Sequence, residues 1–242
     1  MKLTLLSLII AASALAQPRG GRGPGIQPLT DETGFQQIFD GKTLTGWDGD
    51  PKLWRVAEGV IIGETTPETK LERNTFLVWR AGTPADFELK LDYRMTGGNS
   101  GIQYRSVEIP DAKWGLRGYQ ADIDAQQRYT GQIYEERGRG FLAMRGQLNW
   151  IGEGKRPGIV GTLGDPEEMK AIIKSDDWNS FHVIARGHYI VQIVNGRVMS
   201  ALIDDDTANR KMDGLVGIQL HVGPPMKMEV RNVRLKGLRL IQ

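Results

Sequence analysis

Hydrophobic and polar residues alternate one by one along most of the chain after residue 35. The clearest run is residues 87–95, in which Phe87, Leu89 and the following odd-numbered positions are apolar or aromatic and the residues between them are charged. A period of two over nine residues predicts a β-strand with one buried face. The same alternation recurs in residues 101–106, 119–124 and 217–221, so several such strands are expected.

Turn signals separate the predicted strands. Asn195-Gly196 lies between two runs that are rich in β-forming residues, 189–194 and 197–203. This dipeptide predicts a two-residue hairpin turn, because both of its positions need positive φ. Near the C-terminus the alternating apolar positions change phase at Arg231-Asn232, which predicts a β-bulge.

One segment carries helical signals, residues 166–174, with Asp165 as N-cap and Pro166 at the first helical position. The rest reads as strands at a spacing of roughly ten residues with frequent glycine turns. We find no strand–helix–strand rhythm and no repeat of fixed period. The predicted fold class is therefore all-β, a sandwich of two antiparallel sheets with one short helix.

The composition limits the possible functions. The chain has 242 residues with 31 basic and 29 acidic side chains, so its formal charge of +2 gives no electrostatic footprint for nucleic acid. It has no cysteine, which excludes disulfides, thiolate catalysis and zinc–thiolate sites. Its three histidines lack the spacing of a zinc-peptidase helix.

The first sixteen residues have the layout of a secretory signal. Lys2 precedes an apolar stretch that ends in Ala14-Leu15-Ala16, so we predict cleavage after Ala16. A membrane anchor, the alternative, needs roughly 20 apolar residues, and a polar segment interrupts this stretch too early. Residues 17–34 read as a flexible linker rich in Gly, Pro and Arg, and residues 35–242 as one domain. The expected location is periplasmic or extracellular in a bacterium, with no membrane span after cleavage.

Several predicted strands carry amide, carboxylate and cationic side chains on the face opposite their apolar residues. If these strands are neighbours in one curved sheet, the side chains converge on a surface suited to carbohydrate, because planar amides, carboxylates and guanidinium match vicinal hydroxyls and aromatic rings stack on sugar faces. A solvated sheet face is the alternative. The residues are Gln103, Arg105, Gln120, Asp122, Asp124, Gln219 and His221.

An ordered set of short motifs spans most of the domain. In chain order these are FDGKTL-x-GW at residues 39–47, WRV-x-EGVI-x-GE at 54–64, DFEL at 86–89, GGNSGI at 97–102, WN at 178–179 with ARG at 185–187, GIQ at 217–219 and RNVR at 231–234.

This set resembles the 3-keto-disaccharide hydrolase family over about residues 35–238. The resemblance implies a concanavalin A-like jelly-roll sandwich and hydrolysis of glycosides whose sugar has been oxidised to a ketone at C3. The chain departs from the family pattern at Gln120, and its segment 134–140 looks like a variant found in part of the family. Family members often carry Gly-Tyr-Glu where this chain has Gly118-Tyr119-Gln120, so a role of that glutamate would fall to a neighbour such as Asp122 or Asp124.

The implied chemistry needs acid–base groups. A ketone at C3 acidifies the hydrogen at C2; a base can remove it, the group at C1 departs by β-elimination, and water adds afterwards. Direct hydrolysis by paired carboxylates is the alternative. Asp122 and Asp124 share a strand face, so one could be the base, both could hold a divalent cation, or both could pair with arginines. His221 could be an acid or base near neutral pH or a structural residue.

The remaining candidate site residues are chosen by their positions in the predicted strands and loops. Glu135 and Glu136 point to opposite faces of an extended strand, so at most one should serve, and Glu136 is taken as catalytic and Glu135 as substrate-binding. Arg105 could stabilise an oxyanion or form a cross-strand salt bridge. Trp114 is a candidate sugar platform in a glycine-rich stretch. The substrate-binding set is Gln103, Arg105, Gln120, Glu135, Gln219 and Trp114, and no metal ligand is assigned.

Two other functions remain open at this point. The same face would serve a non-catalytic, lectin-like carbohydrate-binding module, and the fold would also serve a structural or adhesive surface domain. A pure binder needs amides and aromatic rings but no acid–base set. The acids on the predicted face therefore favour an enzyme acting on a 3-keto sugar.

Overall fold

The computed structural model describes residues 32–238, so the predicted signal peptide and most of the predicted linker lie outside the described residues. The described part contains one helix, α1 (Pro166–Ala171), and seventeen strands. In chain order the strands are β1 (Gln36–Gln37), β2 (Trp47–Asp48), β3 (Trp54–Ala57), β4 (Val60–Thr65), β5 (Thr75–Trp79), β6 (Phe87–Thr96), β7 (Asn99–Glu108), β8 (Leu116–Asp124), β9 (Ile133–Glu136), β10 (Gly140–Ala143), β11 (Gln147–Ile151), β12 (Gly158–Thr162), β13 (Asn179–Arg186), β14 (Tyr189–Val194), β15 (Arg197–Asp204), β16 (Leu215–Leu220) and β17 (Met226–Gly237).

The strands form two sheets. The larger has ten strands in the order β12-β11-β15-β14-β13-β6-β17-β4-β3, with β1 paired to β17, and the smaller has seven in the order β10-β9-β8-β7-β16-β5-β2. Within residues 32–238 the pairs are antiparallel except that β11 runs parallel to β15. The predicted all-β sandwich with one short helix is confirmed, and this parallel pair is an addition to it.

The core lies between the two sheets. The alternating apolar side chains of β6 are buried, and Phe87 meets Tyr104 of the smaller sheet with ring centroids 6.2 Å apart. Tyr104 and Tyr119 of the smaller sheet stack at 5.9 Å inside the same cluster. Because these inner residues are locked in the core, their neighbours along β7 and β8 must point away from it.

The local signals read from the sequence are confirmed. Asn195 and Gly196 join β14 to β15 with φ of 49° and 79°, and the register of β17 shifts between Arg231 and Arg234, where Asn232 has a φ of 53°. The helix begins as predicted, with Asp165 accepting hydrogen bonds from the backbone of Glu167 and Glu168.

The helix ends earlier than predicted, at Ala171 instead of residue 174. The N–H of Lys174 donates to the side chain of Asn179 at 2.8 Å, so the chain has already left the helical path at that point. No helix within residues 32–238 has the length and apolarity required to cross a bilayer.

Candidate functional site

A row of polar and aromatic side chains crosses the outer face of the seven-stranded sheet. Gln103 of β7 lies directly opposite Gln120 of β8, Gln120 lies opposite Tyr134 of β9, and Tyr134 lies opposite Phe141 of β10. Directly opposed residues share a sheet face. The predicted polar face on β7 and β8 therefore exists, and β9 and β10 extend it with aromatic rings.

The glutamines of this face form a buried amide network. The side-chain oxygen of Gln120 accepts hydrogen bonds from the amide nitrogens of Gln103 at 2.9 Å and Gln219 at 3.0 Å. The amide nitrogen of Gln120 donates to Asp122 at 2.7 Å. A Cβ at Gly101, the cross-strand neighbour of Asp122, would lie 2.6–2.8 Å from the Gln120 side chain, so this position needs glycine. The network fixes one oxygen of the Asp122 carboxyl group.

The surroundings of Asp122 change the pKa of its carboxyl group. It is 4% exposed, and Gln120 is the one hydrogen-bond partner of its side chain among residues 32–238. Burial raises the pKa of Asp122 to about 8; the hydrogen bond from Gln120 opposes this, and the negative charges of Asp124 and Glu136 add to it. At neutral pH the carboxyl group is therefore mostly protonated and can donate a proton.

Glu136 lies on the same face and lines an open pocket. Its carboxylate accepts a hydrogen bond from the Asn74 amide at 3.1 Å. The pocket has a volume of about 380 Å³, and Phe76, Leu116 and the loop at residues 109–112 contribute to its wall. Asn74 has no signal in the sequence, because it lies in a loop outside any periodic run.

The hydrogen bond between Asn74 and Glu136 shows that this face is cupped. Asn74 immediately precedes β5, and Glu136 ends β9, four strand spacings away in the sheet order. In a flat sheet that separation would be about 19 Å. The two side chains therefore meet because the segment before β5 reaches across this face, which gives the face its cup.

Three aromatic rings line the β9–β10 side of the face. Phe141 packs edge-on against Tyr134 with ring centroids 5.1 Å apart and stacks on Tyr129 at 5.6 Å. Burial and the charges of Glu136 and Asp122 raise the pKa of the Tyr134 hydroxyl, so it remains a hydrogen-bond donor. The alternation over residues 133–136 and 140–143 was too short to reveal these rings from the sequence.

Trp114, the sugar platform predicted from the sequence, lies in a pocket next to the one that Glu136 lines. Its indole nitrogen donates to Asp48 at 2.8 Å, and Lys113 lies over its ring at 4.0 Å. It lines a different pocket, together with Asp50 and Lys70. This pocket borders the one at Glu136, because Arg73 and Asp111 line both, but Trp114 itself does not line the pocket at Glu136.

Asp124 organises a loop. Its carboxylate accepts hydrogen bonds from the backbone N–H groups of Arg128, Tyr129 and Thr130 at 3.1, 2.8 and 3.2 Å. Both carboxylate oxygens are therefore occupied. The structure gives Asp124 a role in holding this loop, and its catalytic or cation-binding role stays a prediction. Residues 32–238 contain no group of three or more histidine, aspartate or glutamate side chains placed to hold a metal ion.

Arg105 points away from the site, which corrects its predicted role. A register shift between Tyr104 and Val107, with a φ of 45° at Arg105, turns the side chain out of the polar row. The guanidinium donates to the carbonyls of Ala85, Gly187 and Lys211 and pairs with Asp86 at 3.1 Å. Arg105 therefore ties together three segments and is not available to an oxyanion on the cupped face.

Glu135 also differs from its predicted role. Its cross-strand neighbour is Tyr119, so it faces the opposite side from Glu136, as their adjacency requires. Its carboxylate binds Arg139 at 2.6 Å, and Arg139 in turn binds Asp204. A buried ion network thus holds the Glu135 carboxylate.

His221 follows β16 directly and is partly exposed. Its Nδ1 donates to the carbonyl of the neighbouring Val222 at 2.5 Å, and the N–H of Val222 donates to Asn74. The imidazole thus lies beside the residue that binds Glu136. The structure places it at the rim of the cup and shows no contact between it and the carboxyl groups.

Comparison with known proteins agrees with this architecture. A sequence profile of the 3-keto-alpha-glucoside-1,2-lyase-like domain matches residues 34–236. A 3-keto-disaccharide hydrolase of Bacteroides thetaiotaomicron is 31% identical over 108 residues, which cover 41% of this chain and 37% of that relative. The match therefore spans little more than a third of the relative's length.

Solved structures share the fold. A protein of Parabacteroides distasonis described as a candidate glycosyl hydrolase superposes with a TM-score of 0.57 at 21% identity, covering 85% of this chain and 94% of its own. The carbohydrate-binding module CBM66 of Bacillus subtilis superposes with a TM-score of 0.51 at 15% identity, covering 79% and 96%. At these identities the structures establish the fold alone, and the concanavalin A-like sandwich predicted from the sequence is confirmed.

Proposed function

The chain belongs to the 3-keto-alpha-glucoside-1,2-lyase-like domain family, and from this premise we propose that it cleaves the glycosidic bond of sugars that carry a ketone at C3. The observation that supports this most directly is the pair of carboxyl groups on one cupped face, Asp122 and Glu136. Burial and neighbouring charges favour the protonated form of Asp122. Glu136 lines the open pocket. A candidate acid and a candidate base thus lie on the same face of the sheet.

In the proposed reaction Glu136 removes the proton at C2 of the 3-keto sugar. The electron pair of that C–H bond moves toward C3 and leaves negative charge on its oxygen, which the Tyr134 hydroxyl can stabilise by a hydrogen bond. The enolate then collapses, so that the C1–O bond breaks and a C1–C2 double bond forms. Asp122 donates its proton to the departing oxygen.

Water completes the reaction. It adds to C1 and returns one proton to the carboxyl groups, while Glu136 returns a proton to C2, so the net change is glycoside plus water giving 3-keto sugar plus alcohol. The buried network of Gln103, Gln120 and Gln219 has a positioning role, because it fixes the Asp122 oxygen that accepts from Gln120.

The test uses the purified protein with 3-keto-trehalose in D₂O. We expect release of 3-keto-glucose with deuterium at C2, because the proton that Glu136 takes up exchanges with D₂O through the open pocket before Glu136 returns one to C2. Product incubated without enzyme corrects for spontaneous exchange. Glu136→Gln should lower the turnover number at least 100-fold, whereas Glu168→Gln, an exposed carboxyl on α1, should leave it unchanged. Turnover without deuterium at C2 would instead indicate direct hydrolysis.

A non-catalytic carbohydrate-binding module is the second candidate. The exposed aromatic ring of Phe141 favours it, because an aromatic face can bind a sugar ring without any acid–base chemistry. Sugar binding without turnover, with or without added Ca²⁺, Mn²⁺ or Zn²⁺, would select this function and exclude the enzyme.

We also propose export from a bacterial cell, on the basis of the apolar N-terminal stretch and its Ala14-Leu15-Ala16 end. Mass spectrometry of the protein expressed in a bacterium should find the chain beginning at Gln17 in the periplasmic or extracellular fraction. A cytoplasmic protein that still begins at Met1 would contradict this.

A further inference from the structure

We propose that β12 is an interface at which the edge strand of one molecule pairs antiparallel with β12 of a second copy of this chain. Three features of β12 support this: an unpaired strand edge, apolar side chains that remain exposed, and flanking charged residues of opposite sign. The carboxyl groups of the proposed reaction lie on β8 and β9 of the other sheet, so the pairing does not involve them.

β12 ends the ten-stranded sheet. It pairs with β11 on one side, and no strand within residues 32–238 pairs with its other side. The outer edge of a terminal strand presents unpaired backbone N–H and C=O groups, which can hydrogen-bond to a strand of another chain. Many natural edge strands carry charged side chains that oppose such pairing. The segment at residues 157–164 carries none.

The large side chains of β12 are apolar and open to solvent. Ile159 is 66% exposed and Val160 is 56% exposed, the two highest values among the exposed large apolar residues of the described chain. Trp150 of β11, which lies opposite Gly158, is also exposed and extends this apolar surface. A strand added to the edge would cover part of the surface, and its burial favours association.

Pro157 and a bulge confine the pairing to a short segment. Proline has no N–H to donate, and Val160 is an extra residue in the register of β11 and β12, between Ile159 and Gly161. Both features limit open-ended strand pairing. Antiparallel pairing of a strand with its own copy is two-fold symmetric, so one contact uses the β12 edge of both molecules. We therefore expect a closed dimer and not a fibre.

Charged residues of opposite sign flank β12. Lys155 and Arg156 precede the strand, and Glu167 and Glu168 follow it. All four are exposed, and none forms an ion pair within residues 32–238. Antiparallel pairing centred near Val160 sets the start of one strand beside the end of the other. The cationic residues of each copy then approach the acidic residues of its partner, which favours a second copy of this chain over an unrelated strand.

Sedimentation velocity of the purified protein from about 1 to about 200 µM tests the interface. We expect a monomer–dimer equilibrium with a dissociation constant on the order of 10 µM, as a small interface implies. Val160→Lys brings two like charges together near the two-fold axis and should leave the protein monomeric over this range. Val107→Lys, which makes the same change at an exposed position of β7, is the control and should dimerise like the wild type.

An exchange of charges tests the antiparallel register. The double variant Lys155→Glu, Arg156→Glu has acids on both sides of β12, and Glu167→Lys, Glu168→Lys has cations on both sides. Each alone should dimerise poorly because like charges meet, and an equimolar mixture should form a heterodimer roughly tenfold more tightly than either homodimer. In about 1 M NaCl this preference should vanish, because the Debye length falls to about 3 Å.

Three results would overturn the inference. The first is a wild-type protein that stays monomeric up to the highest concentration, and the second is a dimer that Val160→Lys leaves intact. The third is a pair of oppositely charged variants that associate no better when mixed than alone. A wild-type protein that forms a series of larger species instead of a dimer would contradict the two-fold pairing in the same way.

Discussion

At the scale of single residues, the buried carboxyl group of Asp122 lowers the stability of the folded protein, and the same burial keeps the proton that the proposed reaction needs. Its carboxyl group is protonated in both folded and unfolded chains well below the ordinary pKa of 3.8. Between that value and about 8 the unfolded chain releases the proton and the folded protein keeps it. The folded state is therefore progressively destabilised as pH rises through this window, and the loss is constant above it.

Replacement of the carboxyl group by an amide should remove this destabilisation. Asp122→Asn keeps an oxygen for the Gln120 amide and cannot ionise, so we expect the variant to be more stable at pH 7 by an amount on the order of a few kcal/mol. The gain should vanish near pH 3. Urea unfolding at both pH values measures it, and a variant less stable at pH 7 would show that the buried carboxyl is not held neutral.

The raised pKa of Asp122 also predicts how the rate of the proposed reaction depends on pH. If Asp122 supplies the proton to the leaving oxygen, kcat/KM should decline as pH rises through about 8, because the group then loses its proton. Asp124 and Glu136 are the titratable neighbours whose charges act on its pKa. Rates measured from pH 5 to 10 test this, and a profile that stays flat to pH 10 would exclude Asp122 as the acid.

At the scale of elements, an irregularity in one strand directs an arginine away from the site. The bulge of β7 turns Arg105 toward the segments at residues 85–86, 187 and 211 and leaves Gln103 on the cupped face. A regular strand would have placed both side chains on the same face. The bulge thus converts a potential catalytic cation into a structural one.

This assignment can be tested with a conservative change. Arg105→Lys cannot reproduce the fork of donors that binds three carbonyls and Asp86, so we expect a loss of about 3 kcal/mol in stability. The turnover number of the folded fraction at low temperature should stay within about twofold of the wild type, as an effect on folding alone requires. Normal stability with a large loss of turnover would return Arg105 to the reaction.

At the scale of the whole molecule, a contact that spans the seven-stranded sheet assembles the site. Asn74 lies four strand spacings from β9 in the sheet order but donates to Glu136, and its side-chain oxygen also accepts from the backbone of Val222. One amide thus joins two sides of the cup and orients the proposed base. The site depends on the shape of the sheet as much as on its residues.

Loss of the Asn74 hydrogen bonds should reduce catalysis more than it reduces the stability of the fold. Asn74→Ala removes two hydrogen bonds, so we expect a stability loss of roughly 1–2 kcal/mol and a fall in kcat/KM of about tenfold, since Glu136 loses its orienting partner. Asn209→Ala, at an unrelated loop, is the matched control. An unchanged kcat/KM in Asn74→Ala would show that Glu136 does not need this contact.

The sequence by itself determined the features that depend on neighbours in the chain. The period of two placed Gln103, Gln120, Asp122 and Gln219 on one outer face, because successive side chains of a strand point to opposite sides. The turn at Asn195-Gly196 and the cap at Asp165 followed from local backbone preferences. The ordered motifs predicted the family, and the matching family profile confirmed it.

The tertiary structure alone decided which of these side chains meet. Arg105 and Asp124 have the residue types of a catalytic site, but a bulge directs one elsewhere and a loop binds the other. Asn74 and Phe141 reach the site from segments that show no signal of their own. The physical reason is that alternation is fixed by local strand geometry, whereas strand order, register shifts and sheet curvature result from packing between segments far apart in the chain.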